Sequence, residues 1–493
     1  MTLVTDEIAG TPTGLFIGGV FGAARTGRTL TVEDPATERP LAEVADAGSD
    51  DALAALDAAA AAQSDWAYTP PRRRAEVLRA ASELMRERAG HLATVVTLEM
   101  GKPYRQALDE VTYAADYLRW YAEEAVRIGG RTAHPENGVG RVLTLAQPVG
   151  PCLFVTPWNF PLAMGARKIG PALAAGCTCV VKPAAQTPLS MLALAEILHR
   201  SGVPAGVVNV VVTSRSRDMV ATLMKDPRLR KISFTGSTEV GQQLVRQSAD
   251  QLLRVSMELG GNAPFIVFAD ADVQAAVEGA VVAKLRNNGE ACTSANRMYV
   301  HRSLAPEFAA ALADRFAGLR VGPGIEPDTD VGPLIDAAQL GSVGELVDDA
   351  VAGGGRVLTG GRTLRRAGHF LEPTVVQVAD GARLLAEEIF GPVAPVVAFD
   401  ADAEAIERAN ATSFGLAAYV YTRDLDRALT TAELLEAGMV AVNQGTVANV
   451  AAPFGGVKHS GFGREGGPEG IAEYLETKYL ALHAGVRPRK VAI

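Results

Sequence analysis

The sequence predicts an α/β protein: a Rossmann-type, doubly wound cofactor domain, a second α/β domain, and a protruding β arm. Three observations carry that expectation. From about residue 146, short β-branched or apolar runs alternate with helical stretches, the rhythm of a parallel sheet covered by helices. A second alternation of the same kind begins near Gly260. Between residues 127 and 145 a polar, Gly-rich, alternating stretch interrupts the first domain like a hairpin. At 493 residues, 48% of them hydrophobic, the chain is long enough for about three domains with filled cores.

Residues 14–46 alternate apolar and polar positions around Gly and Pro breaks, which predicts short strands. Residues 50–62, 72–89 and 104–128 read as amphipathic helices, a cover layer that needs a sheet. The strands of the first sheet are expected at 150–155, 178–182, 207–212 and 231–234, with 262–268 following. Those of the second are expected at 298–300, 356–359, 374–378, 393–399, 417–421 and 440–443. The segment 473–482 is a late extended stretch, and with 127–145 it exposes edges suited to pairing with another subunit. The expected domains are 1–126 with 146–259 for the dinucleotide, 260–458 for catalysis, and 127–145 with 459–493 as oligomerisation arm and C-terminal segment.

Composition excludes several classes. A net charge of −9 repels nucleic acid and anionic lipid. The first residues have neither a basic nor an apolar region, and no apolar run is long enough to cross a bilayer, so the expected location is the cytoplasm. Four cysteines without C-x-x-C spacing predict reduced thiols. Seven histidines standing singly, without H-x-x-x-H spacing, imply no metal site.

Three separated stretches carry chemistry. Cys292 lies in Asn287-Asn288-Gly289-Glu290-Ala291-Cys292-Thr293. A free cysteine is more often a small core hydrophobe than a nucleophile, but the polar neighbours and Gly289 argue for a loop lining a site. Glu258 ends an apolar run and precedes Leu259-Gly260-Gly261, where glycines permit close approach and burial would raise a carboxyl toward general-base values. Asn159, in Pro157-Trp158-Asn159-Phe160-Pro161, reads equally as a helix N-cap and as an amide holding an oxyanion. With a helix running on from Phe160, Arg167 would lie about 12 Å along the axis from Asn159, and Arg286 precedes the thiol by six residues. Two arginines converging on one thiol point to an anionic substrate tail. For the cofactor, Phe234-Thr235-Gly236-Ser237 follows a strand and opens a helix, a place for a pyrophosphate, and Lys182 ends a strand where a ribose or phosphate would sit.

At these residues the chain resembles an aldehyde dehydrogenase. The matching stretches are PWNFP (157–161), GPALAAGC (170–177), VKPA (181–184), FTGSTEVG (234–241), MELGGNAP (257–264), EEIFGPV (387–393) and PFGGVKHSGFGREG (453–466), in the family's order. The resemblance implies an aldehyde-dehydrogenase-like fold in which Cys292 is the nucleophile, Glu258 the base for the deacylating water, and Asn159 with the Cys292 N–H the oxyanion hole. It makes Lys182 the ribose-binding lysine, Gly236 and Ser237 the pyrophosphate turn and Glu388 the carboxylate on the nicotinamide ribose, and it places Trp158, Ala184, Ala185, Leu259 and Phe390 in the same cofactor site. The implied reaction is thiolate attack on an aldehyde, hydride transfer to the nicotinamide, and hydrolysis of a thioester to a free acid.

Within the family the resemblance is strongest to succinate-semialdehyde dehydrogenases and related ω-oxoacid enzymes. It implies that Arg167 and Arg286 hold the substrate carboxylate. Ala448 stands where a carboxylate-binding serine is expected, so Asn449 takes that role and the oxoacid's length stays open, with glutarate and 2-oxoglutarate semialdehyde as alternatives. Ser294, where some members carry a second cysteine, predicts no redox lock. Ala185, where NAD-favouring members place Glu, removes repulsion against a 2'-phosphate and predicts NADP with NAD usable. The expected assembly is a homodimer or homotetramer. Rival readings are a cofactor-independent Cys thioester hydrolase and an inactive scaffold.

Overall fold

The computed structural model describes residues 5–137 and 140–482, so the expectations for the first four residues and for 483–493 lie outside it. An eight-stranded sheet runs, in spatial order, Gly461–Phe462, Arg254–Glu258, Lys231–Thr235, Cys152–Val155, Cys179–Lys182, Val208–Val210, Leu15–Ile17 and Val20–Gly22. Its five middle strands are parallel, and the others join antiparallel at the edges. Their register sets where the chain leaves the sheet: Val155 pairs with Lys182 and with Phe234, and Thr235 pairs with Glu258. Every one of those strands therefore ends at one edge, the place where doubly wound sheets bind ligands.

Residues 14–46 do form short strands, and the first two extend this sheet while Thr29–Asp34 and Arg39–Ala45 pair as a separate hairpin. The helical layer is longer than expected. Ser49–Tyr68, Pro71–Glu87 and Tyr104–Ala125 answer to the three expected helices, and Ala89–Met100 is a fourth. Arg88, at φ −99° and ψ 14°, is a one-residue break that apolar periodicity runs through, and Gly101 at φ 94° ends the additional helix. Trp66, Leu78, Val96 and Leu118 from these helices share one buried core with the strand residues Phe154, Val180 and Ile232.

A seven-stranded sheet runs Arg356–Thr359, Thr374–Gln377, Val393–Phe399, Ala295–His301, Ala263–Val267, Ala417–Tyr421 and Met439–Val442, parallel except for its first strand. Gly260–Asn262 connects the two sheets directly, so Glu258 at the end of one stands beside the first strand of the other. A three-stranded sheet orders Leu475–Leu482, Arg141–Pro148 and Thr132–Ala133, all antiparallel. Among the described residues no helix is long and apolar enough to cross a membrane.

Candidate active site

The loop that carries Cys292 is held by strained backbone. The helix Val273–Leu285 ends in a tight turn, Arg286–Gly289, in which Asn287, Asn288 and Gly289 all take left-handed conformations at φ 60°, 59° and 81°. Asparagine tolerates that region because its side chain bonds nearby backbone. Here Asn288 accepts from Gly332 N at 2.7 Å and donates to Pro333 O at 2.9 Å. Asn287 donates to Asn159 O and Glu290 O, both at 3.0 Å, and its own N–H is taken by Gln106 Oε1 at 2.6 Å. Gly289 packs so closely that a Cβ there would lie 2.3 Å from Gly391 O.

Cys292, Glu258 and Asn159 line one cavity of about 400 Å³, together with Trp158, Gly236, Ser237, Leu259, Glu388 and Phe390. Burial pushes the Cys292 thiol up to about 12, against the pull of the Arg167 guanidinium, so it is neutral in the free protein at pH 7. Glu258 is 4% exposed and neither of its carboxyl oxygens has a hydrogen-bond partner among the described residues. Burial, with the charge of Glu465 added, pushes its carboxyl well above the ordinary range. Gly455 makes that placement feasible, since a Cβ there would sit 2.8 Å from Glu258 Oε1.

Asn159 corrects the helix reading. The helix is Ala163–Ala175 rather than a run from Phe160, and Asn159 is not its cap. Glu110, projecting from Tyr104–Ala125, accepts from Leu162 N at 2.9 Å and Ala163 N at 3.1 Å and supplies the missing acceptor. The Asn159 side chain is thereby left for the cavity: Nδ2 donates to Glu290 O at 3.0 Å, and Oδ1 accepts from the next residue's N–H. An amide has two N–H hydrogens, so one remains. The main-chain N–H of Cys292 has no hydrogen-bond acceptor among the described residues.

The residues expected at the cofactor gather along the shared strand edge. Ser237 begins the helix Thr238–Ser248 without spending its side chain on a cap. Lys182 is 6% exposed, donates to Ser216 Oγ at 3.0 Å, and is pulled down to about 8 by burial; no carboxylate pairs with it among the described residues. Ala184 is buried and Ala185 half-buried just beyond it. Glu388 accepts from Gly261 N at 3.0 Å, and a Cβ on Gly260 would lie 2.5 Å from its other oxygen. Trp158 and Phe390 meet edge to face at 5.3 Å, with Phe390 at φ 50°. A buried cation without a counter-ion, a carboxylate at the cavity wall and a helix start with a spare hydroxyl fit the ribose, phosphate and pyrophosphate of a dinucleotide.

The three residues expected at the substrate carboxylate separate. Arg286 stacks over Phe160 at 5.2 Å and lines a second cavity, of about 350 Å³, with no ion pair among the described residues. Arg167 lines neither cavity: it is 2% exposed, lies 3.9 Å over the Phe454 ring and pairs with Glu465 at 2.7 Å. Its Nε and Nη2 nonetheless make no well-aligned hydrogen bond among the described residues. The helix beginning at Ala163 buries Arg167 against Glu465, close enough to the cavity for its charge to act on Cys292 and Glu258. Asn449 is exposed, lines neither cavity, and accepts from Ala451 N at 2.9 Å within its own turn.

Residues 22–480 match the model of the aldehyde dehydrogenase family. The chain belongs to that family. This aldehyde dehydrogenase is 52% identical to a succinate-semialdehyde dehydrogenase of Paenarthrobacter nicotinovorans, over 90% of this chain and 98% of that one. It is 47% identical to a glutarate-semialdehyde dehydrogenase of Pseudomonas putida, over 95% and 97%. An NADP-dependent enzyme of E. coli, known as a crystal structure, superposes with a TM-score of 0.95 at 46% identity, covering 96% of this chain and 98% of that one. The fold is thus the aldehyde dehydrogenase fold, and the reaction class is NAD(P)-dependent aldehyde oxidation.

Several residues that build the site carry no signal in the sequence. Gln106 and Glu110 sit on a helix as ordinary polar positions, and only the packing of that helix brings them to Asn287 and Leu162. Glu465, inside a matched stretch, pairs with both Arg167 and Lys168, from 297 residues away in the latter case.

Proposed function

We propose that the protein oxidises a carboxylated aldehyde, succinate semialdehyde first, to the free acid, with NADP preferred and NAD usable. The observation that supports this reading is the meeting of Cys292, Glu258 and Asn159 in one cavity on the ligand-binding edge of the cofactor sheet. The Cys292 thiol passes its proton to solvent as Sγ bonds to the carbonyl carbon and the C=O pair moves onto oxygen, and the oxyanion so formed accepts from Asn159 Nδ2 and the Cys292 N–H. A nicotinamide bound there would supply the hydride acceptor, with Trp158, Leu259, Glu388 and Phe390 to orient it and Gly236 and Ser237 at the pyrophosphate. Lys182 would hold the adenosine ribose and its 2'-phosphate, with Ala184 and Ala185 leaving the space. The Glu258 carboxyl, in its ionised form, then takes a proton from the water that cleaves the thioester on Cys292. The homologous succinate-semialdehyde dehydrogenase and the NADP-dependent E. coli enzyme support the substrate and cofactor chosen.

Arg286 holds the substrate carboxylate from the 350 Å³ cavity, because it is the cation there with no ion pair among the described residues. Arg167 and Asn449 join it only if the Arg167–Glu465 pair and the Asn449 turn rearrange. A second reading, glutarate semialdehyde, is favoured by the Pseudomonas putida relative, and the arm makes the working form a homo-oligomer.

The test is a series of semialdehydes of increasing length assayed with both cofactors, on the wild type and on Cys292→Ser and Arg286→Met. Succinate semialdehyde with NADP is expected to give the highest kcat/KM, and Cys292→Ser to abolish cofactor reduction. Arg286→Met is expected to lower kcat/KM for the semialdehyde by roughly tenfold to a hundredfold while sparing an uncharged aldehyde of equal length. No cofactor reduction with any aldehyde overturns the dehydrogenase reading, and a preference for NAD overturns the choice of NADP.

A further inference from the structure

Asn159 reaches the cavity with one amide hydrogen to spare, and the bond to its amide from its own segment is the Phe160 N–H at 3.1 Å. Residues 157–162 belong to no helix or strand. What holds the segment is a buried ion pair from elsewhere. Lys102 and Glu110 are 0% and 2% exposed and pair at 2.5 Å, and the Lys102 ammonium donates to the main-chain oxygen of Asn159 at 2.7 Å. It also lies 4.1 Å over the Phe160 ring. The other Glu110 oxygen takes the N–H groups of Leu162 and Ala163. One ion pair therefore grips the segment at both ends: the cation at Asn159, the anion three and four residues later.

From this we infer that Lys102 is a positioning residue, which aims the Asn159 amide into the cavity by holding its carbonyl, while Glu110 fixes Lys102 and the helix start behind it. The inference rests on the reading of Asn159 as the amide that receives the oxyanion. The ion pair is an expensive way to fill an interior. Two charges lose their hydration, and a pair of apolar side chains of like volume would serve folding as well or better. What apolar side chains cannot do is donate to a carbonyl at a set distance and angle. The second donor on that carbonyl, Asn287 Nδ2 at 3.0 Å, belongs to the Cys292 loop and also bonds Glu290 O. The Asn159 carbonyl is thus the point where the cofactor-sheet segment and the thiol loop are tied together. When Asn159 Nδ2 turns from Glu290 O to an oxyanion, Glu290 O keeps the Asn287 donor and is not orphaned.

A structural role and a positioning role separate in a double substitution. Lys102→Met alone strands the Glu110 carboxylate and is expected to destabilise. Lys102→Met with Glu110→Gln removes both charges and keeps an amide oxygen for Leu162 N and Ala163 N. The double variant is expected to melt within a few degrees of the wild type and to bind NADP with unchanged Kd. Its kcat with succinate semialdehyde is expected to fall about tenfold or more, a fraction of what deleting an oxyanion donor costs. Lys102→Gln, milder and still a donor, is expected to fall between. A double variant with near-wild-type stability and kcat overturns the proposal, as does a Lys102→Gln variant whose kcat follows its melting temperature alone. Asn159→Ala is the control: if it leaves kcat intact, the reading of Asn159 fails, whereas a large loss there with an active double variant sinks only the positioning role. Combining Lys102→Gln with Asn159→Ala closes the cycle, and no further loss beyond Asn159→Ala is expected.

Discussion

At the scale of single residues, Glu258 sets chemistry against stability. Its two oxygens lack hydrogen-bond partners among the described residues, and burial, with the charge of Glu465 added, raises the folded carboxyl well above its ordinary value of 4.5. The unfolded chain releases that proton near 4.5, and above that pH the unfolded state is increasingly favoured until the folded carboxyl also ionises. Glu258→Gln, which cannot ionise, should therefore match the wild type in melting temperature near pH 4 and exceed it by a growing margin toward pH 8. The same substitution removes the base for the deacylating water. Stopped-flow assay should show one rapid equivalent of cofactor reduction per site, followed by a steady state slowed by about a hundredfold or more. Equal melting temperatures at pH 8, or no burst, would each count against the role given to this residue. Glu258 is legible in the sequence because two glycines stand just beyond it; the reason it stays protonated is not, since Glu465 and Gly455 reach it from far along the chain.

At the scale of elements, legibility follows locality. The strands 393–399 and 417–421 are where their apolar, β-branched runs put them, because a buried parallel strand is a near-unbroken apolar run in any tertiary context. The start of Ala163–Ala175 escapes local spacing because its cap is Glu110, on another helix. The turn Arg286–Gly289 lies between these cases: Asn-Asn-Gly announces left-handed backbone, but the contacts that make it worth its strain are Gly332, Pro333 and Gly391. Gly289→Ala puts a methyl 2.3 Å from Gly391 O at φ 81°, where both strain and clash act. The expected cost is about 2–4 kcal/mol, read as a lower melting temperature. Loss of aldehyde oxidation is expected to exceed what the unfolded fraction explains, because the turn delivers Cys292. A variant with full specific activity and unchanged melting would show that the turn tolerates a side chain there.

At the scale of the whole molecule, the arm is the feature that a single chain leaves unfinished. Leu475–Leu482 pairs along its full length with Arg141–Pro148, from Leu475 opposite Pro148 to Leu482 opposite Arg141. Its outer edge has no partner among the described residues, and Leu145, Tyr479 and Leu482 are 40%, 62% and 47% exposed. An eight-residue edge with such side chains is a template for another chain unless it is covered. The base of the arm is tied to the cofactor sheet: Arg254 donates to Leu475 O at 2.9 Å, Cys177 donates to Tyr474 O at 3.4 Å, and Lys231 stands 3.5 Å from Glu473. The base of the arm is thus held to the cofactor sheet, and a second copy of the chain is the cover we propose for it. Charging it, with Leu145→Glu and Tyr479→Lys together, should reduce the mass seen by light scattering to a smaller assembly or a single chain. Since Cys292, Glu258 and Asn159 meet within a single chain, kcat per chain should change by no more than about twofold in whatever remains folded. An unchanged mass would move the subunit contact away from the arm. A mass reduced together with complete loss of NADP binding would mean that the sheet edge, through Arg254 and Lys231, depends on the neighbour for its shape.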